Sequence, residues 1–351
     1  MVFNRYMLLL ARESRQMTQL DLSQKCGLSQ GKISKIEHGF TQPSEDDVRT
    51  FARVLNYPAT FFQVEYEPHG FPPYHYRKRK KLNQRTLAYI KATINILHFQ
   101  VSRLVEGVEM ETDKTIPNYD LEHFNGDVTE VARLVREYWG VPDGPVPDMV
   151  KLIEAAGGVV VYCDLKTRDL DALSHRVEGL PPLIFLNSNL PGDRARFTLA
   201  HEVGHLVLHS IPDDDGAMEE QADTFAADLL MPGPQIRPQL VNLTIEKLAR
   251  LKAFWKVSMQ ALLKRATQLR TITKWQAEYL WRQIAKSGYR LCEPVKIPQE
   301  QASVLARLIA SHMNEMGFSA AALAAMLHVR LSEFFEFYLG ESSDLRVVTA
   351  A

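Results

Sequence analysis

Two histidines four residues apart constrain the local structure near the centre of this chain. They lie in the segment RFTLAHEVGHLVLH, which ends at residue 209. On an α-helix that spacing puts both side chains on one face, so His201 and His205 can bind a single metal ion. Glu202 lies one residue further round the helix, where its carboxylate can reach a water on the metal. The segment therefore predicts a helix that carries a catalytic zinc centre with Glu202 as the general base.

A second helical pattern follows a break rich in aspartate at 211–216 and supplies further candidate ligands. Glu219 and Asp223 are four residues apart and share a face. We predict Glu219 as the third zinc ligand and Asp223 as the acceptor for the free N–H of a ligating histidine. Glu220 is the alternative ligand, about 100° round the same helix. His209 is two residues short of the spacing of the long three-histidine zinc motif, which leaves it as a supporting, cleft-lining or structural residue.

The composition suits two or three globular domains. The chain has 351 residues, of which 46% are hydrophobic, and a formal net charge of -1, so contact with nucleic acid has to come from local patches. Its three cysteines form no CxxC pair, which favours a reducing compartment over a disulfide framework. No apolar run approaches the roughly 18 residues of a membrane span. We therefore expect a cytoplasmic protein without membrane contact.

The first 65 residues are predicted to form a bundle of five short helices. Thr18 is the predicted N-cap of the second helix, Gly27 turns the chain, and Gly39 ends the third helix. Two helices joined by a short glycine-containing turn describe a helix-turn-helix. Four apolar side chains are expected to face inward: Leu20, Leu28, Ile33 and Ile36.

The run TQLDLSQKCGLSQGKISKIEHG closely resembles the phage-repressor type of helix-turn-helix. The resemblance implies that the third helix enters the major groove of double-stranded DNA. It places Gln30, Lys32 and Lys35 against bases or nearby phosphates, and Gln19 and Ser29 against the DNA backbone. The alternative is a degenerate module kept for dimerisation or docking.

Residues 66–126 are predicted to be a linker with a basic run and a long helix. The basic run, Arg77–Lys81, is either a solvated face or a phosphate contact. The long helix, at about 84–108, has an apolar stripe and is expected to pack on the enzyme domain or on a second copy of the chain.

The catalytic domain is expected over residues 127–270, with a small sheet ahead of the histidine-rich helix. A β-branched run at 157–163 and short apolar segments at 170–174 and 182–186 are the predicted strands. Residues 271–351 are predicted to be a helical docking or regulatory region, which makes the whole chain mostly α, of the α+β class.

The pair RFTLAHEVGHLVLH and EEQADTFAADLLMP resembles the ImmA/IrrE family of metallopeptidases, here preceded by a Xre-type DNA-binding domain. The resemblance implies a thermolysin-like domain of the gluzincin type that binds one catalytic Zn²⁺. It assigns His201, His205 and Glu219 as the zinc ligands. The family often has asparagine at the position of Asp223 and glutamate at that of Gln221, which keeps the choice between Glu219 and Glu220 open.

Members of this family cut helix-turn-helix repressors and so switch on DNA-damage, mobile-element or antiphage genes. The resemblance therefore implies a zinc endopeptidase that cleaves a transcription repressor, or its own chain near residues 65–85, with DNA binding in the same chain. A homodimer is compatible with this arrangement. Two alternatives stay open: a DNA-binding regulator whose protease-like domain is a non-cleaving sensor, and an antitoxin-like partner of a toxin.

Overall fold

The computed structural model describes residues 2–70, 82–108, 112–209 and 216–340. The described residues are mostly α-helical and form one small sheet, which confirms the predicted fold class. The basic run Arg77–Lys81 and nearly all of the break at 211–216 lie outside the described residues. No helix in the described ranges combines the length and the apolar character needed to cross a membrane.

Five short helical elements form the N-terminal domain. They are α1 (Arg5–Ser14), α2 (Gln19–Cys26), α3 (Gln30–Glu37), α4 (Glu45–Val54) and a 3₁₀ helix (Ala59–Gln63). Thr18 caps α2 as predicted, in a reciprocal capping box with Asp21, and Gly27 ends the helix with a φ of 67°. The expectation that Leu20 faces inward is wrong, because its side chain is 51% exposed. Leu22, two residues on and on the opposite side of α2, takes the core position.

The long helix α5 (Gln84–Val105) joins two parts of the molecule and is buried along most of its length. On one side it packs against α1, and Ile96 and Phe99 enter the core of the N-terminal domain. On another side Ile90 and Leu97 enter a second core, which includes the sheet. The helix α5 therefore packs between the N-terminal domain and the sheet, in line with the first alternative; the second, packing on another copy of the chain, stays a prediction.

The sheet has three strands in the order β1-β3-β2: β1 (Val159–Cys163), β2 (Ala172–His175) and β3 (Leu183–Asn187). β1 runs parallel to β3 and β2 runs antiparallel to it, with Phe185 beside both Val161 and Leu173. Alternate residues face opposite sides of a strand. Val160 and Ile184 accordingly belong to a core with the helices on one face of the sheet, whereas Val161 and Phe185 belong to the core shared with α5.

A second group of helices lies on the first face of the sheet. They are α6 (Val128–Tyr138), α7 (Met149–Ala155), α8 (Gly192–Leu208), α9 (Gly216–Leu230), the short α10 (Gly233–Ile236), α11 (Ile245–Trp255), α12 (Met259–Gln268) and α13 (Lys274–Lys286). The helices α8 and α9 pack especially closely. A Cβ on Gly204 would lie only 3.1 Å from the Cα of Ala222, so glycine at this position permits the approach.

Three C-terminal helices cover the second face of the sheet and also reach the N-terminal domain. They are α14 (Val304–Asn314), α15 (Ala320–Met326) and α16 (Leu331–Tyr338). Arg15 pairs with Glu333 at 2.6 Å, and the guanidinium of Arg330 donates to the carbonyl oxygen of Tyr57 at 3.0 Å. The last helices therefore dock within the same chain, between the sheet and the DNA-binding domain.

Candidate metal centre and DNA-binding surface

The packing of α8 on α9 gathers three potential ligands at one point. One ligand atom each from His201, His205 and Glu219 lies within 4.8 Å of the others. The two histidine Nε2 atoms are 3.1 Å apart, and Glu219 places its carboxylate oxygens 3.4 Å from His205 Nε2 and 3.7 Å from His201 Nε2. Across the described ranges no other histidine, cysteine, aspartate or glutamate trio gathers its ligand atoms this closely. Glu220, the alternative ligand, is exposed and outside this group.

Asp223 holds the far side of the first imidazole. Its Oδ1 lies 3.0 Å from His201 Nδ1, and Lys264 donates to its Oδ2 at 2.9 Å. Burial acts to raise the pKa of Asp223, but the hydrogen bonds from His201 and Lys264 bring that pKa down to about 2. The carboxylate is therefore ionised at neutral pH and accepts a proton-bearing Nδ1, which leaves the lone pair of His201 Nε2 directed at the centre.

A second chain of contacts orients the other imidazole. Gln221 Oε1 lies 2.9 Å from His209 Nε2, and His209 Nδ1 lies 3.0 Å from His205 Nδ1. Because an amide oxygen accepts, His209 carries its proton on Nε2 and accepts at Nδ1 from His205. Burial lowers the pKa of His209, which favours this neutral form. His205 Nε2 is thereby also left with its lone pair toward the centre.

The contact of Glu202 with the sheet could not be predicted from sequence. Glu202 is fully buried, and its Oε2 accepts from the backbone N–H of Ser174 at 2.9 Å and from the Ser174 hydroxyl at 2.7 Å. Ser174 belongs to the edge strand β2, 28 residues before Glu202. The backbone N–H of Ser174 therefore joins β2 to helix α8 through Glu202.

The donor set fits a zinc ion. Two imidazole nitrogens with lone pairs converge on the same point as a carboxylate, and this combination of ligands is typical of catalytic zinc. Each imidazole is held by a partner on its other nitrogen, as metal-binding histidines usually are. His201, His205 and Glu219 would hold the ion, and a fourth position would remain for water or substrate.

A cavity of about 610 Å³ opens behind this centre. Its wall includes Asp223 and Lys264, together with Phe197, Met231 and Trp281. The volume is within the range of small-molecule sites. Asp223 also contacts the His201 imidazole. A molecule bound in the cavity would therefore touch the carboxylate that orients His201.

The recognition helix α3 presents only part of its predicted DNA-binding set to solvent. Gln30 and Lys35 are exposed. The Ser29 hydroxyl accepts from the backbone N–H of Lys32 at 3.2 Å and so caps α3. The Lys32 ammonium lies 2.7 Å from the carboxylate of Asp47, which offsets its charge.

Gln19 is also engaged inside the domain. Its side-chain amide donates to Glu37 at 2.8 Å, and the same carboxylate pairs with Arg12 at 2.6 Å. The half-buried Gln19 therefore ties α2 to α3. Of the predicted DNA contacts, Gln30 and Lys35 are the two side chains that lie exposed on α3.

The N-terminal helices and the candidate metal centre together indicate the class of the protein: a helix-turn-helix domain joined to a domain of the metallopeptidase type. The family models agree with this organisation. The helix-turn-helix model matches residues 8–62, and the IrrE N-terminal-like domain model matches residues 153–267. The chain is thus a Xre-type helix-turn-helix domain fused to an ImmA/IrrE-like domain, which confirms the resemblance drawn from the two motifs.

One curated relative is the radiation response metalloprotease IrrE of Deinococcus radiodurans. It is 30% identical to this chain over 138 residues, which cover 34% of the chain and 38% of the relative. The similarity spans less than half of that protein, so its activity as a whole does not pass to this chain by similarity alone.

Proposed function

We propose that this chain is a zinc-dependent endopeptidase that cleaves a transcription repressor and binds DNA through its N-terminal domain. The convergence of the His201, His205 and Glu219 ligand atoms beside the Glu202 helix position carries this proposal. A zinc ion in such a site acts as a Lewis acid and lowers the pKa of its water to about 7.

The protein's own residues have separate tasks in this proposal. Glu202 accepts the proton from the attacking water, and Ser174 keeps its carboxylate in place. Asp223 and His209 hold the two imidazoles in the orientation that ligation needs.

A helix-turn-helix repressor is the substrate that the family resemblance supports. Under this proposal the chain acts in the cytoplasm, where its DNA-binding domain brings the peptidase to a promoter and cleavage releases stress, DNA-damage, mobile-element or antiphage genes. Cleavage can occur in a separate repressor or in the chain itself near residues 65–85.

The test compares the zinc-loaded full chain with Glu202→Gln, using as substrate helix-turn-helix repressors from the same genome. Wild type should release repressor fragments on a gel, and Glu202→Gln should do so at least about 100-fold more slowly. Glu220→Gln is the matched control, since Glu220 is an exposed acid on α9 outside the ligand group. Fragment release by Glu202→Gln at the wild-type rate would refute the proposal.

Mixing an active chain with a tagged Glu202→Gln chain separates the two modes of cleavage. Fragments of the tagged chain would show cutting between chains, whereas self-cleavage confined to the active chain would show cutting within one. A chelator should stop both reactions.

A non-cleaving sensor is the second candidate, and the cavity behind the metal centre favours it. An occupant that touches Asp223 and Lys264 could alter how the domain packs on the rest of the chain. This candidate gains if zinc-loaded wild type cuts neither the repressor nor itself while a small molecule changes its affinity for DNA.

DNA binding rests on α3 in either case. Lys35→Ala should weaken binding to the chain's own promoter and reduce the slope of log affinity against log salt by about one. Lys286→Ala, an exposed lysine on α13, is the control and should leave the slope unchanged. If the two variants have equal slopes, Lys35 does not contact the DNA.

A further inference from the structure

Three histidines from separate parts of the chain gather away from the metal centre. His69 follows the N-terminal domain, His98 lies on α5 and His175 ends β2. Their ring centres are 4.5 Å apart for His69 and His98, 5.5 Å for His98 and His175, and 5.7 Å for His69 and His175. The ring centres of the candidate ligands His201 and His205 are 4.7 Å apart, which falls within the same range.

The middle histidine is buried without hydrogen bonds. His98 is only 2% exposed, and neither of its ring nitrogens has a hydrogen-bond partner in the described chain. The Nδ1 of His175 likewise has none. Buried polar atoms are nearly always satisfied in native proteins, so unpaired nitrogens on two adjoining rings point to a ligand.

The rings are in the protonation state that binds metals. Burial lowers the pKa of His98 to about 4, with the neighbouring His69 and His175 adding to the effect. Burial also lowers the pKa of His175 to about 4. Both imidazoles are therefore neutral at pH 7, and neutral imidazole is the form that ligates a metal.

The backbone at His69 is hydrogen-bonded to the side chain of Asn95. Asn95, one turn before His98 on α5, accepts from the His69 backbone N–H at 2.7 Å and from the Tyr66 hydroxyl at 3.0 Å. These contacts use the backbone of His69 and do not involve its ring. His69 is half-buried, whereas His98 is buried.

We propose that His69, His98 and His175 form a second metal site, which takes Zn²⁺ through three imidazole nitrogens. Imidazole suits zinc, and three histidines with one open position form a known type of zinc site. As the rings stand, their nitrogens are not gathered within the 4.8 Å that groups the first centre. Binding therefore requires the imidazoles to turn until one nitrogen of each ring faces a common point.

The position of this site gives it a consequence beyond peptidase activity. His175 directly follows Ser174, which holds Glu202, and His69 directly follows the DNA-binding domain. Zinc on the three imidazoles ties the end of the DNA-binding domain to the strand that anchors Glu202. Occupancy of the second site thus couples the two halves of the molecule.

Zinc stoichiometry of the untagged full chain tests the proposal. After equilibration at micromolar free zinc, elemental analysis should give about two zinc ions per chain for wild type and about one for His69→Ala or His175→Ala. His123→Ala, which removes an exposed histidine on the 3₁₀ helix Leu121–Phe124, is the control and should keep about two. The His69→Ala chain keeps its backbone hydrogen bonds to Asn95, and circular dichroism checks that it folds.

A zinc content in both His69→Ala and His175→Ala equal to that of wild type would overturn the proposal, whether wild type binds one ion or two. The outcome is independent of proteolysis. If the peptidase proposal fails, Glu202→Gln and wild type behave alike on a gel, yet both still bind the second ion.

Discussion

Replacing Gly204 with alanine tests whether the close approach of α8 and α9 builds the metal centre. Gly204 lies between the two candidate histidine ligands, and an added Cβ would be 3.1 Å from Ala222 Cα, 3.3 Å from Ala222 O and 3.2 Å from Phe225 Cδ1. Ordinary van der Waals contact for a Cβ begins at 3.4 Å. Two of these atoms belong to the backbone of α9, so α9 must move away by a few tenths of an ångström.

The expected effect combines two opposing contributions. Overpacking of this kind costs about 1–3 kcal/mol, whereas alanine is better than glycine in a helix interior by about 1 kcal/mol. The free energy of unfolding should therefore fall by about 0–2 kcal/mol. Glu219 lies one turn before Ala222, so its carboxylate moves with α9. Metal sites tolerate distance changes of about 0.2 Å, and we expect zinc affinity to fall about 10-fold or more.

Zinc affinity is measured by competition with a chromophoric chelator, and stability by urea unfolding of the same samples. Gly31→Ala is the matched control, because Gly31 lies in helix α3 with nothing within 4 Å of the added Cβ. The free energy of unfolding of Gly31→Ala should rise by about 1 kcal/mol, and its zinc affinity should equal that of wild type. If Gly204→Ala matched Gly31→Ala in both measurements, the argument from helix packing would be refuted.

Three further predictions concern side chains around the two histidine groups. Asp223→Asn removes the charged acceptor behind His201 and should weaken zinc binding about 10–100-fold in the same competition assay; unchanged affinity would contradict the orienting role. Ser174→Ala removes the 2.7 Å hydroxyl donor to Glu202 and should lower kcat about 10-fold at unchanged zinc content, measured by fragment release. The pKa of His98 is about 4 in the folded chain and 6.5 ordinarily, so between these pH values the unfolded chain binds more protons. In metal-free protein, the free energy of unfolding should therefore fall as pH falls from about 6.5 to about 4. The loss amounts to at most about 3 kcal/mol, and urea unfolding of His98→Phe should be flatter with pH; equal slopes would exclude His98 as the source.

Features that depend on neighbours along the chain were predictable from sequence. The positions of His201 and His205 on one helix face need only helical geometry and a spacing of four residues. The cap at Thr18 and the turn at Gly27 depend on residues within one helical turn. The combination of a helix-turn-helix domain with an ImmA/IrrE-like domain follows from two such local patterns.

Features that depend on packing between distant elements were decided by the tertiary structure. The rotation of α9 against α8 brings Glu219, and not Glu220, to the histidine pair, and helical spacing alone could not choose between them. The hydrogen bond from Ser174 to Glu202 and the contact between the rings of His98 and His175 join residues that are far apart in sequence. No sequence periodicity encodes such contacts. The sequence by itself thus determined which residues could bind a metal or DNA, because side-chain chemistry and helical spacing are local. Only the folded chain decided which of them meet, because that depends on how whole helices and strands pack.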